Sequence, residues 1–357
     1  MVKKYKTPHI SAVLQQWYIQ NKRDLPWRGT KDAYTIWLSE IILQQTRVEQ
    51  GMPYFTKFLE TYPSVLQFAN ADIDDLLKNW QGLGYYSRCR NMHKCAATVR
   101  DCHNGIFPTE YEVLIKLPGI GDYTASAISS FAKNHPNAVI DGNVFRFLSR
   151  YFGIEEPINS TASLKIFKSL AEEILDKDNA ATHNQSIMEF GALQCRPANP
   201  NCALCPLTET CMANRTNMVS KFPVKLSAKP KKKRFLAYLV FETPHQSTII
   251  QQRTKKDVWQ GLYEFPLLES EKKLPFTSIF DHLKSIYDLQ NFELQKDLET
   301  KHILSHQEIY AQFWNVKVAS FKNLQISDTF EVDFNELKQK YAVSVLIEKY
   351  LKSFKNL

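Results

Sequence analysis

No uninterrupted apolar run in the 357-residue chain is long enough to cross a membrane, and the opening residues, Met1-Val-Lys-Lys-Tyr-Lys6, lack the apolar core of a secretion signal. The expectation is a cytosolic protein with no membrane partner. Seven cysteines in such a compartment do not suggest a disulfide framework, and clustered ones point to metal. Strand patterns are missing before about residue 230, so the first part of the chain is expected to be all-α.

What is present fits two domains with ordinary cores: 357 residues, 44% of them hydrophobic. A net charge of +8 favours a polyanionic partner, though many plain soluble proteins share such a balance. Helical spacing is read over residues 11–21, 33–46, 163–175 and 183–194. Between the first two, Arg23-Asp-Leu-Pro-Trp-Arg28 reads as a loop.

Leu117-Pro-Gly-Ile-Gly-Asp-Tyr-Thr-Ala125 organises the chain. Residues 117–121 read as a tight turn between a helix over 109–116 and another over 122–133. Pro118 ends the first helix, while Gly119 and Gly121 allow positive φ and leave backbone amides open to a ligand. Amides at a helix N-terminus suit a phosphate, which makes Gly119 and Gly121 candidate contacts to a DNA backbone; an ordinary helix connection would read the same way. Asp141 follows the apolar Ala138-Val-Ile140 and precedes Gly142-Asn143 and an apolar helix. It is a favoured N-cap residue, and one helix after a phosphate clamp it would also stand near the sugar of a bound nucleotide.

Glu40, in Trp37-Leu-Ser-Glu-Ile-Ile-Leu-Gln-Gln-Thr46, lies on an apolar stripe with Ile36 and Leu43. A carboxyl group so placed has a raised pKa and can hold a proton near neutrality; at the stripe's edge it would instead reach solvent or pair with Arg47. Gln81-Gly-Leu-Gly-Tyr-Tyr-Ser-Arg-Cys-Arg90 sets tyrosines beside arginines, which suits stacking on an opened nucleic acid or core packing alike.

Cys195, Cys202, Cys205 and Cys211, spaced Cys-x6-Cys-x2-Cys-x5-Cys among prolines, can wrap one metal centre, zinc or an iron–sulfur cluster. Cys89, Cys95 and Cys102 read as packed or exposed thiols on one helix. Residues 213–234, ending in Lys229-Pro-Lys-Lys-Lys-Arg234, read as a linker with a solvated basic run. Beyond it come strands at 235–242, 248–253 and 311–318, with helices near 278–287 and 334–341, hence a smaller α/β domain over 235–357 after a helical one over 1–212.

Together the Leu-Pro-Gly-Ile-Gly hairpin, the following Asp141 and the cysteine spacing resemble the endonuclease III superfamily of DNA base-excision glycosylases. Within it, Trp37–Thr46, Gly82-Leu-Gly-Tyr-Tyr-Ser-Arg88, Asp141-Gly-Asn-Val144 and the C-terminal domain are similar to the adenine glycosylases. The resemblance covers nearly the whole chain. It implies an all-α helix-hairpin-helix glycosylase domain with a 4Fe-4S cluster loop, plus a C-terminal α/β Nudix-like domain. The implied activity is removal of adenine opposite 8-oxoguanine or guanine in duplex DNA, by a monomer, in the cytoplasm or on a bacterial nucleoid.

Lyase relatives carry a lysine where Tyr123 stands here, and a tyrosine cannot form the Schiff base, so a monofunctional enzyme is implied. The resemblance further implies an adenine pocket of Trp27, Arg28, Leu43 and Val48. It makes Glu40 the donor to adenine N7 and Asp141 the stabiliser of the sugar cation, with Tyr123, Asn143 and Glu189 in support. Gln45, with Thr46 beside it, and Tyr85 match residues that wedge into the stack around the opposite base. Val258-Trp-Gln-Gly-Leu-Tyr-Glu-Phe-Pro266 looks Nudix-like, but the acidic box for magnesium is missing after it, so hydrolysis of pyrophosphates is not expected. Leu304-Ser305-His306 stands where the family reads 8-oxoguanine through Phe-Ser-His: the polar pair is kept and the aromatic is not. A catalytically silent iron–sulfur protein that senses damaged DNA, and a Nudix hydrolase fused to a DNA-binding module, are the alternatives; Glu40 and Asp141 speak against the first.

Overall fold

The computed structural model describes residues 7–227, 230–285, 287, 289–321, 324 and 326–353. By their contacts the described residues divide into two compact units. One joins those up to Asn70 with those from Met92 to Ser227; the other joins those from Ala71 to Asn91 with those beyond Ser227.

In chain order the helices are α1 (Thr7–Asn21), α2 (Ala33–Ile42), α3 (Val48–Thr61), α4 (Val65–Asn70), α5 (Ile73–Trp80), α6 (Ser87–Cys102), α7 (Tyr111–Leu114), α8 (Asp122–Lys133), α9 (Gly142–Phe152), α10 (Thr161–Ile174), α11 (Ala180–Leu193) and α12 (Met212–Arg215). The first strand begins only at Lys232. In the helical unit α8 packs against both α2 and α11. Its buried face of Ala125, Ser126, Ala127, Ser129 and Ser130 carries little bulk, so its neighbours approach closely. One core gathers Leu14, Val144, Phe147, Phe167 and Phe190, and Trp37 packs edge-on to Phe68 and tilted against Phe107.

Two helices are shorter than their sequence patterns. The one before the hairpin is a single turn, α7, and α2 stops at Ile42, with Leu43 as its C-cap, because Gln45 adopts φ 59° and turns the chain into α3.

The second unit contains β1 (Lys232–Glu242), β2 (Ser247–Gln252), β3 (Tyr263–Glu264), β4 (Leu267–Ser270), α13 (Phe276–Ser285), β5 (Glu293–Ile303), β6 (Gln307–Lys317), β7 (Thr329–Asp333), α14 (Phe334–Lys340) and α15 (Val345–Ser353). Its sheets run β4-β1-β6-β5 and β3-β2-β7, with β1 and β6 parallel from Lys232↔Gln307 to Glu242↔Lys317. Leu239, Phe241, Ile279, Leu283 and Val316 form the core. The basic run is not all solvated: Lys232, Lys233 and Arg234 open β1, and Arg234 is buried in ion pairs.

Helix α5 lies among helices in sequence yet packs in this second unit. The Tyr263 hydroxyl donates to Asp74 at 2.6 Å, Lys78 donates to the carbonyls of Lys338 and Tyr341, and Arg90 donates to that of Gln260. No helix among the described residues is long and apolar enough to cross a membrane.

Candidate active site

A cavity of about 1010 Å³ opens within the helical unit. Of the residues singled out in the sequence, it brings together Trp27, Arg28, Glu40, Leu43, Gln45, Thr46, Val48, Tyr123, Asp141, Asn143 and Glu189. Each is delivered by a local signal. Asp32 caps α2 by accepting from Thr35 N at 2.8 Å, and the next turns bury Glu40 at 9% exposure. Its partner is not Arg47 but Tyr123 on α8, whose hydroxyl donates to Glu40 Oε2 at 2.5 Å. Burial raises the Glu40 carboxyl to about 7; the Tyr123 hydrogen bond pulls it down and the Asp141 charge pushes it up.

Asp141 is the N-cap of α9 as well as a cavity residue. Oδ1 accepts from the amides of Asn143 (2.9 Å) and Val144 (2.8 Å), and Oδ2 from Asn143 Nδ2 (2.6 Å). Burial raises its carboxyl too, but the bonds from Val144 and Asn143 and the Arg146 charge favour its ionised form. Glu40 has one hydroxyl donor, Asp141 three N–H donors at a helix N-terminus. Of two acids lining one cavity, Glu40 is therefore the better placed to hold a proton and Asp141 to hold the charge.

The approach to Asp141 is pinned from α11. Asn184, buried, accepts from Val139 N at 3.1 Å and donates to the Asn137 carbonyl at 2.8 Å. Gly191 lets the same helix close on α9, since a Cβ there would stand 2.7 Å from both the Cβ and carbonyl oxygen of Asn143. Arg146 completes the support, donating to Asn143 Oδ1 at 2.8 Å and to the Cys195 carbonyl at 2.8 Å.

Glu189, 1% exposed, is gripped by two arginines. Arg23 donates from N, Nε and Nη2 at 2.9, 2.9 and 2.6 Å, and Arg28 from Nη1 and Nη2 at 2.9 and 2.6 Å. Burial alone would raise its carboxyl, yet the hydrogen bonds from Arg23 and then Arg28 hold it down at about 2. Among the cavity residues that the sequence reading left out are Arg23 and Gln44, the latter donating to Thr124 Oγ1 at 3.3 Å.

Outside the cavity, Gly119 sits at φ 78° in the hairpin, as a turn there requires. Gly121 does not use positive φ: it is extended at φ −97°, caps α8, and has open space where a Cβ would be. Tyr85, at φ 49° and half exposed, lies in the second unit with the Arg88 guanidinium 5.5 Å from its ring. Leu304, Ser305 and His306 form the β5–β6 turn, with Leu304 N donating to the Gln307 carbonyl at 2.9 Å and the serine and histidine exposed.

Cys195, Cys202, Cys205 and Cys211 are unpaired thiols that share a small cavity of about 30 Å³ with Phe147, Tyr151 and Leu207. Arg150 lies 3.5 Å from Cys195 Sγ and donates to the carbonyls of Arg196 and Pro197, tying this loop to α9. Four thiols line one space with a guanidinium beside them, while among the described residues no group of three or more His, Cys, Asp or Glu is placed to hold a single metal ion. Cys89 and Cys95 are packed inside and Cys102 is exposed.

Residues 38–173 match the family of HhH-GPD superfamily base excision DNA repair proteins, and residues 237–353 match the NUDIX domain. The adenine DNA glycosylase of Buchnera aphidicola subsp. Schizaphis graminum is 32% identical over 355 residues, 97% of this chain and 99% of that protein. That of Buchnera aphidicola subsp. Acyrthosiphon pisum is 35% identical over 266 residues, 74% of this chain and 75% of its own. Among solved structures, a thermostable thymine-DNA glycosylase is 26% identical, with a TM-score of 0.55 over 59% of this chain and 97% of its own. With a helical HhH-GPD domain followed by an α/β Nudix domain, and likeness extending over nearly every residue, the chain belongs to the adenine DNA glycosylase (MutY) family.

Proposed function

We propose that this protein hydrolyses the N-glycosidic bond of an adenine flipped from duplex DNA opposite 8-oxoguanine or guanine, and leaves an abasic site. The observation that carries it is one cavity that brings together two acids in unlike settings: Glu40, buried with its carboxyl raised to about 7, and Asp141, held by three N–H donors at a helix N-terminus. Trp27, Leu43 and Val48 give the extruded purine apolar walls, and Arg28, fixed by Glu189, gives it a polar edge.

Tyr123 occupies Glu40 Oε2, which leaves Oε1 to carry the proton. That proton passes to adenine N7 as the C1′–N9 bond breaks and its electron pair leaves with the base. Asp141, held by Asn143 and Val144, faces the cation that develops at C1′; water then adds there and its proton restores Glu40. No lysine stands at position 123 to hold the sugar as an imine, which supports a monofunctional reaction.

Cys195, Cys202, Cys205 and Cys211 would hold a 4Fe-4S cluster, which when bound would cross-link the loop after α11. In the second unit Ser305 and His306 would read the base opposite the adenine. Asp257, Glu264 and Glu269 are each paired with Arg234 or Arg253 rather than free for magnesium, which supports recognition over pyrophosphate hydrolysis.

The test is incubation with duplexes carrying adenine opposite 8-oxoguanine or guanine, followed by alkali. Breaks at adenine that need alkali are expected. No break would remove the glycosylase reading for this chain, and cleavage without alkali would remove the monofunctional one.

A further inference from the structure

A chain of hydrogen bonds in the second unit ends at the exposed β5–β6 turn. It begins at Arg234 on β1, whose guanidinium donates to Glu269 at 2.6 and 2.7 Å and to Asp257 at 2.9 Å twice. So anchored, Arg234 also donates from Nη1 to Gln307 Oε1 at 3.2 Å. A guanidinium offers only hydrogens, so the amide oxygen of the buried Gln307 must face it and the amide nitrogen must face away. On that far side Gln307 Nε2 lies 2.9 Å from His306 Nε2. An amide nitrogen only donates, so His306 Nε2 accepts and carries no hydrogen.

The ring hydrogen of a neutral His306 is then on Nδ1, which lies 3.1 Å from Ser305 Oγ. Nδ1 donates to the serine, and the hydroxyl's own hydrogen turns away from the ring, out of the turn. A serine free to rotate presents a lone pair or a hydrogen equally well and separates acceptors from donors poorly. One pinned from behind by a ring N–H has one lone pair engaged and its hydrogen aimed outward, which favours an acceptor at that place.

We infer that Gln307 is a positioning residue for lesion recognition: by fixing His306 as the Nδ1–H tautomer it makes Ser305 an outward donor that reads the C8 carbonyl oxygen of 8-oxoguanine. Guanine has no acceptor at that atom. The inference rests on the proposal that this turn faces the base opposite adenine.

Gln307→Glu tests it, because a carboxylate of the same length keeps Arg234 satisfied yet inverts the chain. It can only accept, so His306 Nε2 must carry the hydrogen; in the neutral ring Nδ1 then becomes an acceptor, and the Ser305 hydrogen is drawn inward. The full-length protein with its cluster is used, at about pH 8. Two readouts are taken: the ratio of single-turnover excision rates for adenine opposite 8-oxoguanine and opposite guanine, and the imidazole 15N spectrum, assigned against His306→Gln.

Native protein is expected to show the Nδ1–H form. Gln307→Glu is expected to show Nε2–H and to lose about tenfold of the ratio, the size of one hydrogen bond. Gln307→Met, which only unpins the ring, should give mixed tautomers and a smaller loss, and serves if the glutamate variant does not fold. An Nε2–H form in the native protein, or a switched tautomer with an unchanged ratio, overturns the role of Gln307 while Ser305→Ala still lowers the ratio. An unchanged ratio in Ser305→Ala overturns the reading of the turn, and this inference with it.

Discussion

The Tyr123 hydroxyl donates to Glu40 Oε2 at 2.5 Å, joining a residue just past the hairpin to the buried acid of α2. This bond stabilises the charged carboxylate, opposing the burial that lifts Glu40 to about 7. The proposed reaction uses the protonated form, so the rate should hold below about 7 and fall as pH rises through it. In Tyr123→Phe the opposing bond is gone and the fall should move ~1 pH unit higher. A single-turnover pH profile checks this, and a limb that stays put or moves down means that Glu40 is not the titrating acid.

Glu40→Gln and Asp141→Asn should each lower excision by roughly 10²–10⁴-fold, the range for a positioned proton donor or a charge facing a developing cation. Duplex binding should survive in both. Asparagine at 141 keeps an oxygen for the amides of Asn143 and Val144 and so retains the helix cap. Gel-shift affinity measured beside single-turnover excision separates the two effects, and either variant cutting at the native rate removes that residue's assigned role.

Glu40 was legible in sequence because a charge on an apolar stripe contradicts the helix around it, and Asp141 because a buried run, an acid and Gly-Asn spell a helix start. Arg23 was not: a loop arginine carries no sign of what it faces, and its partner Glu189 lies 166 positions later. Arg234 closes a run of lysines that reads as solvated, and only Asp257 and Glu269, brought alongside by the fold, explain its burial. Strand β5, Glu293-Leu-Gln-Lys-Asp-Leu-Glu-Thr-Lys-His-Ile303, was missed for a related reason. It is an edge strand, partly solvated along its length, so its apolar alternation is weak, and Lys and Glu suit such an edge. Strand β3, at two residues, carries no period at all.

Removing the Glu189 carboxylate should destabilise the native state. Glu189→Gln leaves Arg23 and Arg28 facing a neutral amide, and roughly 2 kcal/mol is expected, less than for a fully buried pair because both arginines keep some solvent. The native carboxyl is depressed to about 2 against 4.5 for the free group. Its contribution is therefore fully present above the free value and is lost as pH falls from there toward about 2. Urea midpoints for native and variant protein at neutral and acid pH check both parts: the gap between them should narrow on acidification, and a gap that widens contradicts the depressed carboxyl.

Gly191 gives the sharpest separation of stability from chemistry. A methyl group there would need the space of the Asn143 Cβ and backbone oxygen, both 2.7 Å away, and neither can yield without moving the first turn of α9. That turn supplies the amides and the carboxamide that hold Asp141. Gly191→Ala should therefore cost about 1–3 kcal/mol in stability, as overpacking does, yet lower single-turnover excision by more than the unfolded fraction explains. Melting temperature and excision measured on the same preparation decide it. If the loss of rate equals the loss of folded protein, Asp141 tolerates displacement, and its anchoring by Asn143 and Val144 has no part in the reaction.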